Sequence, residues 1–299
     1  MSLSKSDIAG LFTAIVTPFN EDKSVNFDAL KALVKRQIAA GATGVVPIGG
    51  TGEYPALSRT ERAEIVAACV EAADGALVMP GVLSTGYHDS LDAGRDFKAA
   101  GASGLMLVTP YYAVGSQDGM RRYFNNYREA IDLPLLAYEI PRRTGAALAP
   151  ETYSALADDG AIIGMKYSNY DMPQFLASIR EAGGKLAVLS GEEPLFATHI
   201  AQGAVGGVLA SASIYPEYWL KIFKLASAGD LKSALALQYR IDPVLDAIYA
   251  ETNPGPLKKY MGMAGLDMGG VRLPLSEPSV LTLGKLKEAL AEFDGNLAA

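Results

Sequence analysis

Lys166 is the residue of this chain best placed to do chemistry. It lies inside the apolar run Ala161-Ile162-Ile163-Gly164-Met165-Lys166, which otherwise reads as a buried strand. Seven other short apolar runs, at 11–16, 44–48, 76–82, 104–108, 133–138, 186–189 and 206–210, carry no internal cation. An unpaired ammonium is costly in a low-dielectric site, so burial favours the neutral amine. That form attacks carbonyl carbons and makes Schiff bases. The plainer alternative is a lysine whose stem crosses the core and whose head reaches water at the strand end.

Other candidates cluster just after these runs. Gly49-Gly50-Thr51-Gly52-Glu53 follows the second. The dinucleotide pattern fails there at Pro55, and no Gly-Lys-Ser/Thr follows for a phosphate loop. What remains is a tight turn whose N–H groups and Thr51 hydroxyl suit a small anion such as a carboxylate, or one that is glycine-rich for geometry alone. Tyr138 closes the fifth run, and Tyr111 and Tyr112 follow the fourth. A phenol tuned by a neighbouring cation can shuttle protons, although single tyrosines of this kind are more often packing residues. Arg142 and Arg143, just past the fifth run, offer either a fork for a carboxylate or a solvated pair.

The elements that must position these side chains alternate regularly. Each apolar run is followed by an amphipathic stretch: 27–40, 58–73, 84–100, 116–130, 150–157, 172–182, 194–202 and 215–228. Ser58-Arg59-Thr60-Glu61 has capping-box spacing, and Asn26 and Asp171 are good N-caps. Gly41, Gly75, Gly101, Gly183 and Gly203 follow helical stretches, where a left-handed cap is useful. Continuous apolar strands alternating with helices imply a parallel sheet covered on both faces. Eight such units within residues 1–228 predict a closed (β/α)8 TIM barrel in preference to a two-domain α/β protein. Residues 229–299 read as helices only (231–247, 255–263 and 282–293), a C-terminal helical extension packed on the barrel. In such barrels the active site lies at the C-terminal ends of the strands, where Lys166, Tyr138, Tyr112 and the 49–53 turn all fall.

Composition narrows the partners. Over 299 residues, 49% hydrophobic and 20% charged content fits a soluble globular protein, and a net charge of −7 argues against nucleic acid or an anionic membrane. The single cysteine, Cys69, excludes an internal disulfide framework. His88 and His199 stand apart, so no protein-bound metal site is expected. No apolar stretch reaches the ~18 residues needed to span a bilayer, and no signal peptide is legible, so the expectation is a cytoplasmic protein.

Together these motifs resemble the dihydrodipicolinate synthase / N-acetylneuraminate lyase family of Schiff-base barrels, along the whole chain. The resemblance rests on Thr17-Pro18-Phe19, the Gly49–Glu53 turn, Thr109-Pro110-Tyr111-Tyr112, Tyr138-Glu139-Ile140-Pro141-Arg142-Arg143-Thr144-Gly145 and Gly164-Met165-Lys166. It implies a class I aldolase-type lyase with no cofactor beyond the substrate's own Schiff base on Lys166. Tyr138 would move protons, and Gly50 and Thr51 would hold the carboxylate of pyruvate or a longer 2-oxo acid. Tyr112 would enter a neighbouring subunit's site, in a homotetramer built as a dimer of dimers. Leu209 would offer its carbonyl, Arg143 would bind a second carboxylate, and Glu192 joins the substrate-binding set.

Three departures from the family pattern bear on the substrate. Gly50 replaces the hydroxyl residue of the family's proton relay, which should enlarge the pocket. Glu139 replaces an asparagine, as a further acid–base group or a structural carboxylate. Tyr167-Ser168-Asn169-Tyr170-Asp171 replaces the common segment after the lysine. The sequence therefore points first to an aldolase, dehydratase or deaminase of a 2-oxo acid. The alternatives are 4-hydroxy-tetrahydrodipicolinate synthase, joining pyruvate to aspartate semialdehyde, and a non-catalytic binding barrel.

Overall fold

The computed structural model describes residues 3–293. Its strands are β1 (Gly10–Ala14), β2 (Gly44–Val46), β3 (Leu77–Val78), β4 (Gly81–Val82), β5 (Leu105–Val108), β6 (Leu135–Glu139), β7 (Gly164–Tyr167), β8 (Ala187–Ser190) and β9 (Gly206–Leu209). All pair in parallel, in the order β3-β2-β1-β9-β8-β7-β6-β5-β4. The two ends of that order, β3 and β4, are successive pieces of the single apolar run 76–82. The sheet therefore closes on itself as a (β/α)8 barrel. The break falls at Pro80, which has no N–H to donate. Its neighbours still bond to β2 and the residue after it, Met79 N–H to the Val45 carbonyl (3.0 Å) and Gly81 N–H to the Pro47 carbonyl (3.1 Å).

The barrel helices are α1 (Phe27–Ala40), α2 (Arg59–Ala73), α3 (Tyr87–Ala99), α4 (Gln117–Ile131), α5 (Pro141–Thr144), α6 (Pro150–Asp158), α7 (Met172–Ala182), α8 (Phe196–Ala201) and α9 (Pro216–Ser227). The one-turn α5 has no counterpart in the sequence reading. Helix α3 starts three residues later than the pattern suggests, because its cap Gly86 is extended. The 194–202 stretch resolves into a 3-10 turn, Glu193–Leu195, followed by α8.

Local signals act as the residue types dictate. The Asn26 and Asp171 side chains accept from the Ala29 and Gln174 N–H groups, and Ser58 and Glu61 form a reciprocal capping box. Gly41 and Gly203 adopt left-handed φ values of 102° and 114°. Gly183 does not: its φ is −61°, and it is needed for a different reason. A Cβ there would lie 2.7 Å from the Ile179 carbonyl oxygen.

The extension comprises α10 (Leu231–Ile248), α11 (Gly255–Met263) and α12 (Val280–Glu292); residues 294–299 lie outside the described residues. It docks through buried side chains of α9 and α10. Tyr218 donates to the Leu237 carbonyl at 2.9 Å, and the adjacent Trp219 is wholly buried with its indole N–H on Ser211 Oγ at 2.8 Å. Such aromatic anchors contribute most of their stabilisation as apolar area removed from water.

Candidate active site

Parallel register places Tyr138 of β6 directly beside Lys166 of β7, and Lys166 beside Leu189 of β8. Side chains facing each other in this way share one face of the sheet, here the barrel interior. The Lys166 Nζ lies 4.6 Å from the centroid of the Tyr138 ring, and the two residues are only 7% and 6% exposed. Among the described residues no carboxylate forms an ion pair with this amine. Room for its stem comes from Gly191, where a Cβ would sit 2.8 Å from Lys166 Cε and 2.0 Å from Ser168 Oγ. The Ser168 hydroxyl is itself buried without a protein partner.

A second buried lysine, unremarked in the sequence, shows what a structural lysine looks like. Lys258 of α11 donates to the Thr17 carbonyl at 2.9 Å, to the Gly270 carbonyl, and to Glu53 at 3.2 Å. Burial pushes its ammonium down to about 8 against the opposing pull of Glu53. Glu53 also accepts from the Arg272 N–H at 2.9 Å, while Thr17 Oγ1 donates to the Gly52 carbonyl at 2.7 Å. This network clamps the 49–53 turn from below. Gly52 is obligatory there, since a Cβ would come within 2.5 Å of the Ile48 nitrogen.

On the upper side of the turn, Asn253 Nδ2 donates to Thr51 Oγ1 at 2.9 Å. The Thr51 hydroxyl has thereby accepted one bond and keeps its own proton to donate to an anion. Asn253 Oδ1 is buried and unpartnered. Asn253 and Thr252 belong to the segment between α10 and α11, so the extension contributes directly to the site.

The two arginines separate. Arg142 is ion-paired with the buried Glu192, and its guanidinium lies 5.7 Å from the Tyr170 ring centroid. Burial and the Glu192 charge push the Tyr170 phenol up to about 12. Arg143 turns instead toward Gly50, its Nη1 2.8 Å from where a Cβ would stand. The Arg143 guanidinium thus borders the space where a side chain at residue 50 would begin.

Thr51, Tyr138, Arg142, Arg143, Lys166 and Glu192 all line one cavity of about 480 Å3. Two of the sequence candidates stand elsewhere. Leu209 is not on the cavity wall, which is formed by its neighbours Val208 and Ala210. Tyr112 is 94% exposed on the outside of the single chain, with a φ of +70° that few non-glycine residues adopt.

Glu139 points out of the barrel, away from the chamber. It accepts from the Tyr153 hydroxyl (2.7 Å) and the Leu148 N–H (3.2 Å), while its second oxygen is unpartnered. Burial pushes its carboxyl up to about 7 from an ordinary 4.5. Between those values the folded state holds the proton more tightly than the unfolded chain, so this group's contribution to stability falls as pH rises to about 7 and is flat above. Glu139→Gln should remove that loss, worth on the order of 3 kcal/mol at pH ~8 relative to pH ~4.5. Subtracting parent from variant also cancels His199, whose buried imidazole is pushed down to about 4 and acts in the opposite direction. Thermal melts of both proteins across that range test this; identical pH slopes would contradict it.

Comparison with known proteins gives the family. The profile of the Dihydrodipicolinate synthetase family matches residues 7–292. The chain belongs to this family. It is accordingly an enzyme of the class I, Schiff-base lyase type. It is 36% identical over 293 residues to the 4-hydroxy-tetrahydrodipicolinate synthase of Anaeromyxobacter dehalogenans (strain 2CP-C), covering 97% of this chain and 99% of that one. It is 34% identical to the enzyme of the same name from Haloarcula marismortui, covering 96% and 94%. The barrel superposes with a TM-score of 0.91 on the chloride-inhibited dihydrodipicolinate synthase from Acinetobacter baumannii complexed with pyruvate. That pair is 31% identical, with 95% of this chain and 98% of that one covered.

Proposed function

We propose that Lys166 attacks the ketone carbon of pyruvate or a pyruvate-derived 2-oxo acid. The new C–N bond forms as the carbonyl oxygen takes a proton. That oxygen then leaves as water, giving an iminium that accepts electrons from the adjacent carbon. Tyr138 supplies the proton to the departing oxygen and serves the reacting carbon, while Thr51 and the turn hold the carboxylate. Loss of a proton at the adjacent carbon gives the enamine, from which C–C bond formation or cleavage, or loss of water or ammonia, can follow. The electron sink is the substrate's own iminium, so no separate cofactor or metal enters the proposal. The observation that carries it is the unpaired, buried Lys166 amine held against the Tyr138 ring. Incubation with pyruvate and borohydride, followed by peptide mapping, should give a reduced pyruvyl adduct on Lys166. An adduct mapping only to another lysine would overturn it.

A second reading within the class is the synthase, favoured by the names of the relatives and by Arg143 standing inside the cavity. Condensation of pyruvate with aspartate semialdehyde at an ordinary enzymatic rate would establish it over a different lyase. Under either reading Arg143→Ala should raise KM for a substrate with a distal carboxylate more than for pyruvate alone, by roughly ten-fold or more. Gly50→Thr should act in the same direction by displacing the guanidinium, and the double variant should fall well short of additivity. Equal effects on both substrates would remove Arg143 from that role. The same reading includes a cytoplasmic homotetramer in which the exposed Tyr112 reaches a neighbouring site, which sedimentation of wild type and Tyr112→Ala would test.

A further inference from the structure

A buried carboxylate beside a nucleophilic amine works against it, because their attraction favours the ammonium over the neutral form. Three carboxylates line the Lys166 cavity: Glu192, Glu193 and Glu251. Two of them are committed elsewhere. Glu193 accepts from the Ser211 N–H at 2.8 Å and the Tyr249 hydroxyl at 2.9 Å, and burial pushes its carboxyl up. Glu251 accepts from the Ser279 N–H at 3.0 Å and from the Ser279 and Thr282 hydroxyls at 2.6 and 2.5 Å, at the cap of α12. Glu192 directly follows Gly191, against which the Lys166 stem packs. Its backbone is pinned there. Ser190 Oγ donates to the Glu192 carbonyl at 3.3 Å, accepts from its N–H at 3.4 Å, and lies 2.8 Å from Nδ1 of the wholly buried His199. A carboxylate held in this way needs a cation. The cations lining the cavity are Lys166, Arg142 and Arg143, and the partner of Glu192 is Arg142. The other titratable groups facing the cavity are the phenols of Tyr138, Tyr170 and Tyr249; burial pushes Tyr170 up to about 12 and Tyr249 further still.

We propose that Arg142 is a positioning residue for Schiff-base formation: by holding Glu192 in a buried ion pair, it keeps that carboxylate from binding the Lys166 amine. The proposal rests on the Schiff-base reading of Lys166. A guanidinium suits the task because it does not give up its proton, so the pair stays ionised under conditions where the amine must be neutral. The side chains are 48% and 3% exposed for Arg142 and Glu192, so the cation keeps much of its hydration while the carboxylate has little. Removing Arg142 would leave Glu192 buried and unneutralised, one residue from the footing of the Lys166 stem. The ammonium form of Lys166 would then gain a partner, and a higher pH would be needed to free the nucleophile.

The test uses the full chain and pyruvate, with samples quenched into borohydride at timed intervals and the adduct followed by intact mass. The rate of adduct formation is measured against pH at constant ionic strength, and its midpoint is the readout. In Arg142→Ala the midpoint should rise by about one pH unit or more, which is about ten-fold in rate on the acid side of the profile. Arg142→Met, which keeps the aliphatic stem, serves if the truncated side chain does not allow folding. Arg142→Lys, which keeps a cation for Glu192, should retain the parental midpoint. Adding Glu192→Gln to Arg142→Ala should bring the midpoint back to the parental value, an outcome that a merely structural role for Arg142 would not give. An unshifted midpoint in Arg142→Ala or Arg142→Met overturns the proposal. So does an upward shift that survives in the double variant, since the loss of the Arg142 charge alone would then account for it. In both cases a parental pyruvate adduct on Lys166 leaves the Schiff-base reading standing. Absence of any adduct in the parent overturns both.

Discussion

Lys166→Ala is expected to abolish the trapped adduct and lower turnover on the order of 10⁴-fold or more, as the loss of a covalent nucleophile does. The fold should survive, because the substitution removes a buried amine that no carboxylate partners and leaves β6 and β8 paired to the backbone of β7. Lys258 supplies the internal control. It is buried as deeply but held by a carboxylate and two carbonyls, so its amine has no freedom to approach a carbonyl carbon. Lys258→Ala should therefore destabilise the 49–53 turn and lower the melting temperature, leaving Lys166 as the labelled residue in whatever protein remains folded. An adduct persisting in Lys166→Ala would sink the assignment.

Tyr138→Phe is expected to slow turnover by about 10²–10⁴-fold, the usual range for a positioned acid–base group. The ring that covers the Lys166 amine is kept in this variant and only the hydroxyl is lost, so packing should change little. Slow adduct formation and slow turnover should appear together, since water departure and carbon protonation draw on the same phenol. Adduct formation at the parental rate with impaired turnover would confine Tyr138 to the later steps. Unchanged rates of both would remove it from the mechanism.

The barrel and its reactive pair were legible in the sequence because each rests on a rule that holds locally. A strand covered on both faces must be apolar, and a lysine inside one is conspicuous. Tyr138 was legible once the strands were counted, since side chains at one level of a barrel converge. Asn253 was not legible. It is a single polar residue whose part in the site comes from a fold-back of distant chain, and it stands in no pattern that sets it apart. Ser168 was legible only as part of the segment after the lysine, and the burial of its hydroxyl without a partner depends on packing. The position of Arg143 was hidden for a different reason. It depends on what is missing at Gly50, and the sequence shows the absence without showing which side chain borders it. Gly183 shows the same limit on a smaller scale, where a glycine is required by close approach of a carbonyl and not by handedness.

The interruption at Pro80 leaves the barrel with a seam. Pieces β3 and β4 each contribute two register pairs, one to β2 and the other to β5, where β6 and β7 share four. Short pairings on either side of a proline are where a closed sheet breathes most easily. The chain emerging from that seam runs straight into Leu83, on the wall of a cavity that Tyr138 and Arg143 also line. Thermal motion at the seam would therefore flex that wall, while the β6–β7 staves carrying Tyr138 and Lys166 stay rigid. A barrel built in this way keeps its chemistry in a stiff frame and confines its softest joint to the strand that closes the ring.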